Sequence, residues 1–454
     1  MRQFIPTRQD VKLLLKLAVP IVTAQVGVMM MGVVDTIMVG HVSARELAAV
    51  SLGLLYTMGI SVFCMGTLWA IDPVVSQAAG AKDDEGVALG LQRGLLLAAI
   101  LGTAAALLCV AAEPVFRLLR QPADVVPRAA RFVWVSAPSL PAMLVWITLR
   151  QGLQAMKLLR PVVITTIVGN VTNLALNWVF VYGNLGSPAM GAVGSALSSS
   201  IGRFVSLALV LYLARHTLAP KLRPLRPTVW ARGPLMQTLK IGVPIGIQVM
   251  AEYATFGTIA VLAGWFGANA ISGHQVALNL ASLMFMVPMG IGSAASVLVG
   301  RAIGEGDLPH ARRAAASALM CGAGFMVLSA IVMLAIPGLL ARAYTSVPGV
   351  AAVAAALIPI AGVFQVFDGL QVVAAGALRG AHDTRASMIA NVLGFWLVGI
   401  PVSLWLGFGR SLGVVGLWWG FVAGLAAVAT FLVLRVRVRL SSELKRLNVE
   451  AAAT

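Results

Sequence analysis

Three carboxylates interrupt stretches that are otherwise apolar. Asp35 sits in VGVMMMGVVDTIMVG (26–40), Glu252 in QVMAEYATFG (248–257) and Asp368 in GVFQVFDGLQVV (362–373). An aspartate facing hydrocarbon near the centre of a spanning helix costs roughly 2.5–3.5 kcal/mol even on insertion scales, so each acid is expected to face protein or water. A carboxylate in that setting can exchange its buried negative charge for a proton or a cation, which is the chemistry of an ion-coupling or cationic-ligand site. GNVTNLALNW (169–178) adds a polar pair: Asn173 and Asn177 are four apart and share a helical face, with Asn170 on a neighbouring turn. That pair either glues helices together or orients Asp35 across a bundle. Around these groups, Met31 and Met38 flank Asp35, Tyr253 follows Glu252, Phe364 precedes Asp368 by one turn, and Met284 and Arg203 stand in other spans as candidates for a cavity wall or a second layer. Arg203 reads as the one basic residue deep in a span, able to neutralise a carboxylate or to snorkel outward. Asp72, just before Pro73, reads as a structural group near the surface at the close of a span.

The elements that must position these residues follow from composition. Of 454 residues, 59% are hydrophobic and 11% charged, against about 25% charged in a soluble domain. Apolar stretches recur at the length of about 20 residues that a helix needs to cross a bilayer. Turn signals divide them into twelve spans, at 13–39, 47–71, 90–112, 131–149, 161–182, 190–214, 236–264, 271–299, 314–340, 350–374, 387–408 and 412–434. The first is expected to be a retained span, since no cleavage pattern follows it. The fold class is therefore an all-α polytopic membrane protein.

Two halves resemble each other. LAVPIVTAQ (17–25) returns as IGVPIGIQV (241–249), placing Pro20 and Pro244 at an offset of 224, and SQAAGAKDD (76–84), ITLRQG (147–152) and GAVG (191–194) have counterparts in the same order at 296–304, 376–380 and 413–416. The expected organisation is a six-helix bundle over 1–214, a basic linker over 215–235 and a second six-helix bundle over 236–454 ending in a short basic tail. An even span count per half predicts a parallel pseudo-two-fold. Most of the 33 Lys and Arg fall in the termini and the even-numbered connections, so the positive-inside rule puts both termini in the cytoplasm.

The formal charge of +17 belongs to that topology, because neither a basic folded surface nor an aromatic platform for nucleic acid is evident. Cys64, Cys109 and Cys321 lie in separate apolar segments and suggest neither disulfides nor a metal site. No HExxH, P-loop or nucleophile elbow occurs, and the five histidines are scattered, so neither an enzyme nor an ATP motor is indicated. The remaining class is transport driven by an ion gradient. A lipid-intermediate flippase is the nearest rival and would want several deep cationic side chains, where this chain offers acids; a non-transporting enzyme or scaffold is the more distant one.

DTIMVG (35–40), ARELAAVSLG (44–53), VSQAAGA (75–81), LRQGLQAMKLLRP (149–161), VPIGIQVMAEY (243–253) and GALRGAHDTR (376–385), taken in order, resemble the multidrug and toxic compound extrusion (MATE) transporters, especially their NorM-like bacterial branch. The resemblance implies a monomeric antiporter of the bacterial inner membrane. It would export lipophilic, cationic, amphipathic small molecules against entering sodium ions or protons, among membrane lipids and without a cofactor. It also implies that Asp35 is the first-bundle acid with Asn173 and Asn177 beside it, that Glu252 and Asp368 form the second-bundle cation site, and that sodium would bind at one of these acids. Phe364 departs from a family pattern that can carry tyrosine there, which removes one hydroxyl ligand.

Overall fold

The computed structural model describes residues 5–442, 444, 446 and 447; of the basic tail expected at the end of the chain, residues 443, 445 and 448–454 lie outside them. Eleven helices are long and apolar enough to cross a membrane, and a twelfth span is a pair bent by 48°. The helices are α1 (Arg8–Gly40), α2 (Ala44–Leu68), α3 (Ile71–Gly80), α4 (Asp84–Leu108), α5 (Ala112–Leu118), α6 (Val126–Ser136), α7 (Ser139–Ala155), α8 (Arg160–Phe180), α9 (Ala192–Leu213) and α10 (Arg215–Leu222). They continue with α11 (Arg232–Gly264), α12 (Ala268–Glu305), α13 (Leu308–Ala335), α14 (Pro337–Tyr344), α15 (Pro348–Gly380), α16 (Thr384–Leu393), α17 (Ile400–Leu404) and α18 (Gly413–Ser441). The bent span is α6 with α7, and α2 with α3 forms one span through a short turn. All twelve expected spans coincide with these elements.

Two compact units emerge. The first holds Thr23–Ala79 and Asp83–Gly246; the second holds residues up to Val22, Gly80–Lys82 and Ile247–Leu447. The long helices α1 and α11 each change unit part-way, two residues beyond Pro20 and Pro244, so the crossing points keep the offset seen in the sequence.

The repeat is also visible in the turns. Lys82 and Gly306 both adopt positive φ (56° and 77°), and the next residue in each case, Asp83 or Asp307, caps the following helix through its carboxylate, accepting from the Gly86 and His310 amides at 2.8 and 2.9 Å. Lys157 and His382 repeat the positive φ in the later turn of each half, at 63° and 59°. A chain that must reverse in three residues between long helices uses a left-handed residue to stop one helix and an aspartate to start the next.

Each unit has its own core. In the first, Ile71, Leu91, Val133, Leu149 and Phe116 belong to one buried apolar cluster. The second is built on aromatic rings: Phe256 and Phe421 meet edge-on at 4.8 Å, Phe364 and Phe421 at 4.9 Å, and Phe364 and Trp418 at 5.7 Å between centroids. Helices α12 and α15 touch backbone to backbone, and a Cβ on Gly376 would lie 2.2 Å from the Gly292 carbonyl oxygen. The linker folds onto the first unit. Gln92 Nε2 of α4 donates to the Lys221 and Pro224 carbonyls, Arg93 Nη2 donates to the Thr228 carbonyl, and Lys221 pairs with Asp84 at 2.6 Å.

Candidate functional site

In the first unit Asp35 is 3% exposed and its carboxylate is saturated with donors. Oδ1 accepts from Asn173 Nδ2 at 3.0 Å and from Asn177 Nδ2 at 2.6 Å, while Oδ2 accepts from the Ser199 hydroxyl at 2.6 Å. The donors are themselves linked: Asn173 Nδ2 reaches Ser199 Oγ at 2.9 Å, and Asn177 Nδ2 reaches Asn173 Oδ1 at 3.3 Å. The four-residue spacing on α8 puts both amides on the face that meets α1 and α9. Asn170 is not part of this cluster; its Nδ2 donates to the Gly27 and Thr166 carbonyls. Asn177 Oδ1 has no partner among the described residues. The sequence reading missed Ser199. Its signal was the SSS run at 198–200, with Ser199 four residues before Arg203 and hence on the same face.

Arg203 neither snorkels nor pairs directly with a carboxylate. Its Nη1 donates to Ser139 Oγ at 2.8 Å, and Ser139 in turn donates to the Ser136 carbonyl at 2.7 Å, so the guanidinium pins the break between α6 and α7; its charge also acts on Asp35 through space. Met31 Cε comes within reach of Gly202 on α9, and the Met38 carbonyl accepts from the Tyr182 hydroxyl at 2.9 Å.

Two expectations need correction. Asp72 is fully buried, not near the surface. Pro73 falls in the first turn of α3, where its missing N–H is not needed, so the span restarts there instead of ending. Arg203 lies midway along α9, and Arg93, Arg150 and Arg379 are buried. Arg150 acts electrostatically on Asp72, donates to Gln25 Oε1 at 3.1 Å and lies over the Trp146 ring at 5.2 Å.

In the second unit Glu252 on α11 and Asp368 on α15 are close enough for their charges to interact. Asp368 is 4% exposed, and its Oδ1 accepts no hydrogen bond among the described residues. Gln371 lies close enough to Glu252 to act on its carboxylate and was missed in the sequence, although it follows Asp368 by three residues on one helix face. Phe364 lies within the aromatic core at 1% exposure, and Met284 packs against that core. Tyr253 is half-buried beside Glu252.

The two acid sites thus differ in kind. The first surrounds one carboxylate with three donors. The second brings together two carboxylates and leaves an oxygen unpaired, an arrangement that a positive charge completes.

Comparison with known proteins identifies what the whole chain is similar to. The MatE family matches twice, over residues 20–179 and 244–405, starting at Pro20 and Pro244. The chain is 34% identical to the multidrug resistance protein PmpM of Pseudomonas aeruginosa, over 98% of this chain and 96% of that one. It is 32% identical to the multidrug resistance protein NorM of Vibrio vulnificus, over 98% and 99%. The fold matches that of the eukaryotic MATE transporter AtDTX14 with a TM-score of 0.87 at 20% identity, covering 98% of this chain and 97% of that one.

Proposed function

The chain belongs to the MATE family, secondary active antiporters and not enzymes, and we propose that it couples export of lipophilic cations to entry of protons or sodium ions through Asp35 in one unit and Glu252 with Asp368 in the other. The multidrug names of its relatives support cationic, amphipathic compounds as cargo. The single observation that carries the site assignment is the unpaired Asp368 Oδ1 beside a second carboxylate inside a membrane-spanning core.

The mechanism follows from charge. Glu252 and Asp368 repel each other when both are ionised, and an entering proton or sodium ion relieves that repulsion. At Asp35 the entering ion must displace donors already in place. An ion drives a conformational change only if it binds one state better than the other, so loading has to alter these contacts between the states. The apolar and methionine-bearing surface around Met31 and Met38 suits flat or irregular lipophilic cargo without fixing its shape.

All partners of Asp35 come from its own unit, which suits a working monomer. The Lys and Arg bias of the connections supports a multi-pass inner-membrane protein with both termini on the cytoplasmic side. The test is efflux of a fluorescent lipophilic cation from liposomes, with purified wild type compared to Glu252→Gln and Asp368→Asn. Loss of gradient-driven acceleration in both variants, with folding retained, is expected. Full acceleration in both removes the assignment.

A further inference from the structure

The carboxamide of Gln371 reaches in two directions. Nε2 donates to Asn391 Oδ1 on α16 at 2.8 Å, and the same side chain lies close enough to Glu252 on α11 to act on its carboxylate. Gln371 is 1% exposed and Asn391 is fully buried; Asn391 Nδ2 donates to the Ser387 carbonyl at 2.9 Å. Gln371 Oε1 is left without a partner among the described residues, as is Asp368 Oδ1 three residues earlier on the same face. A buried acceptor without a donor is destabilising, so two on one helix face beside two carboxylates mark a place that is incomplete when empty.

An amide can answer that need because it carries donors on one side and an acceptor on the other, exchanged by a half-turn about its last torsion. The surroundings also suit a change in α16. Asn391 lies two residues before Leu393, where α16 gives way to the π-helical turn Gly394–Gly399. Within that turn Trp396 Nε1 makes a long hydrogen bond, 3.4 Å, to the Ala251 carbonyl, next to Glu252. A π-turn carries a wider ring of backbone bonds than an α-turn and recurs at functional places in helices. The span that follows α15 therefore meets the acid pair twice, once through Asn391 and Gln371 and once through Trp396.

We propose that Gln371 is a positioning residue for ion coupling, an amide switch that reports the loading of Glu252 and Asp368 to Asn391 and so to α16. With the pair unloaded, Nε2 holds Asn391 Oδ1 beside Glu252. When a proton or sodium ion enters, the carboxamide turns to present Oε1 to the added positive charge, and the bond to Asn391 is released. No covalent bond changes; one hydrogen bond is exchanged for one ion or proton contact. The proposal rests on the reading of the acid pair as a coupling site and adds the element through which loading is felt.

The test uses the full-length protein in liposomes, measuring initial efflux of a fluorescent lipophilic cation against the concentration of the driving ion, with thermal unfolding recorded for every variant. Gln371→Leu is expected to raise the half-saturating ion concentration at least tenfold and, because it also removes the bond to Asn391, to lower the maximal rate about tenfold with the melting temperature unchanged. Gln371→Glu, which keeps an oxygen at that place, is expected to saturate at a concentration no higher than wild type. Asn391→Leu is expected to leave half-saturation within threefold and to lower the maximal rate about tenfold. The switch is overturned if Gln371→Leu and Asn391→Leu lower rate and melting temperature together with half-saturation unchanged, which is the signature of packing alone. It is also overturned, with the coupling reading left standing, if Gln371→Leu behaves as wild type while Glu252→Gln abolishes driven efflux. A wild type that responds to neither ion overturns both.

Discussion

Asn177→Leu separates function from stability at the first acid. The two side chains branch alike, so the change removes polarity with little change of shape. It deletes a 2.6 Å bond to an ionised carboxylate, a contact worth roughly 1.5–3 kcal/mol. It also deletes Asn177 Oδ1, which has no partner among the described residues and costs about 1–3 kcal/mol in a buried place. The long 3.3 Å bond to Asn173 Oδ1 is lost as well and is the weakest of the three terms, so the net change stays near about 1 kcal/mol, with Asn173 and Ser199 still holding the carboxylate at 3.0 and 2.6 Å. The melting temperature should therefore stay within about 3 °C of wild type, the shift that 1 kcal/mol produces in a mid-sized domain. Ion binding should change. The entering ion no longer has to displace that donor, so the half-saturating concentration for driven efflux should fall by about 10- to 150-fold. Vesicle efflux against driving-ion concentration and a thermal melt on the same preparation read both quantities. Unchanged half-saturation in a folded variant would refute the reasoning, since Asn177 would then not compete with the ion for Asp35.

Other perturbations have equally definite outcomes. Asn173→Leu removes donors to both Asp35 and Ser199 and the acceptor for Asn177, so, unlike Asn177→Leu, it should destabilise the fold by about 1–3 kcal/mol and show a clearly lower melting temperature. Gly376→Ala puts a Cβ against the Gly292 carbonyl and must separate α12 from α15, costing about 1–3 kcal/mol and showing as a lower melting temperature. His382, in the turn between α15 and α16, has both ring nitrogens buried without partners among the described residues, and burial, reinforced by the Arg439 charge, pushes its pKa down to about 3. The folded form thus disfavours the protonated ring, and the stability it contributes at neutral pH is lost as pH falls from about 6.5 toward 3, by about 2 kcal/mol at pH 5. His382→Asn, which keeps a residue tolerant of positive φ, should flatten the fall in melting temperature between pH 7 and pH 5; an equal fall in both proteins would contradict the assignment.

The spans were legible because hydrocarbon imposes one constraint on every residue of a crossing helix, and a window of about 20 residues averages that constraint well. The Asn173 and Asn177 pair was legible for a related reason, since four-residue spacing fixes a shared face before any tertiary contact is known. What escaped depends on contacts between helices distant in sequence. Ser199 looked like one hydroxyl in a run of three, and only the placing of α9 against α1 and α8 singles it out. Gln371 and Asn391 are single amides in apolar context, and their importance lies in a bond between α15 and α16. Asp72 was misread because proline at a first helical turn and proline at a helix end look the same in one dimension. Arg203 was found, but its partner Ser139 sits at a bend that hydropathy does not report.

The most direct measurement is efflux of a fluorescent lipophilic cation from liposomes holding the purified wild-type protein, with sodium and proton gradients imposed separately and membrane potential clamped. Acceleration by at least one gradient, lost in Asp35→Asn and in Asp368→Asn, is the expected result. Equal efflux with and without either gradient, from protein shown to be folded and inserted, would contradict ion-coupled export by these acids.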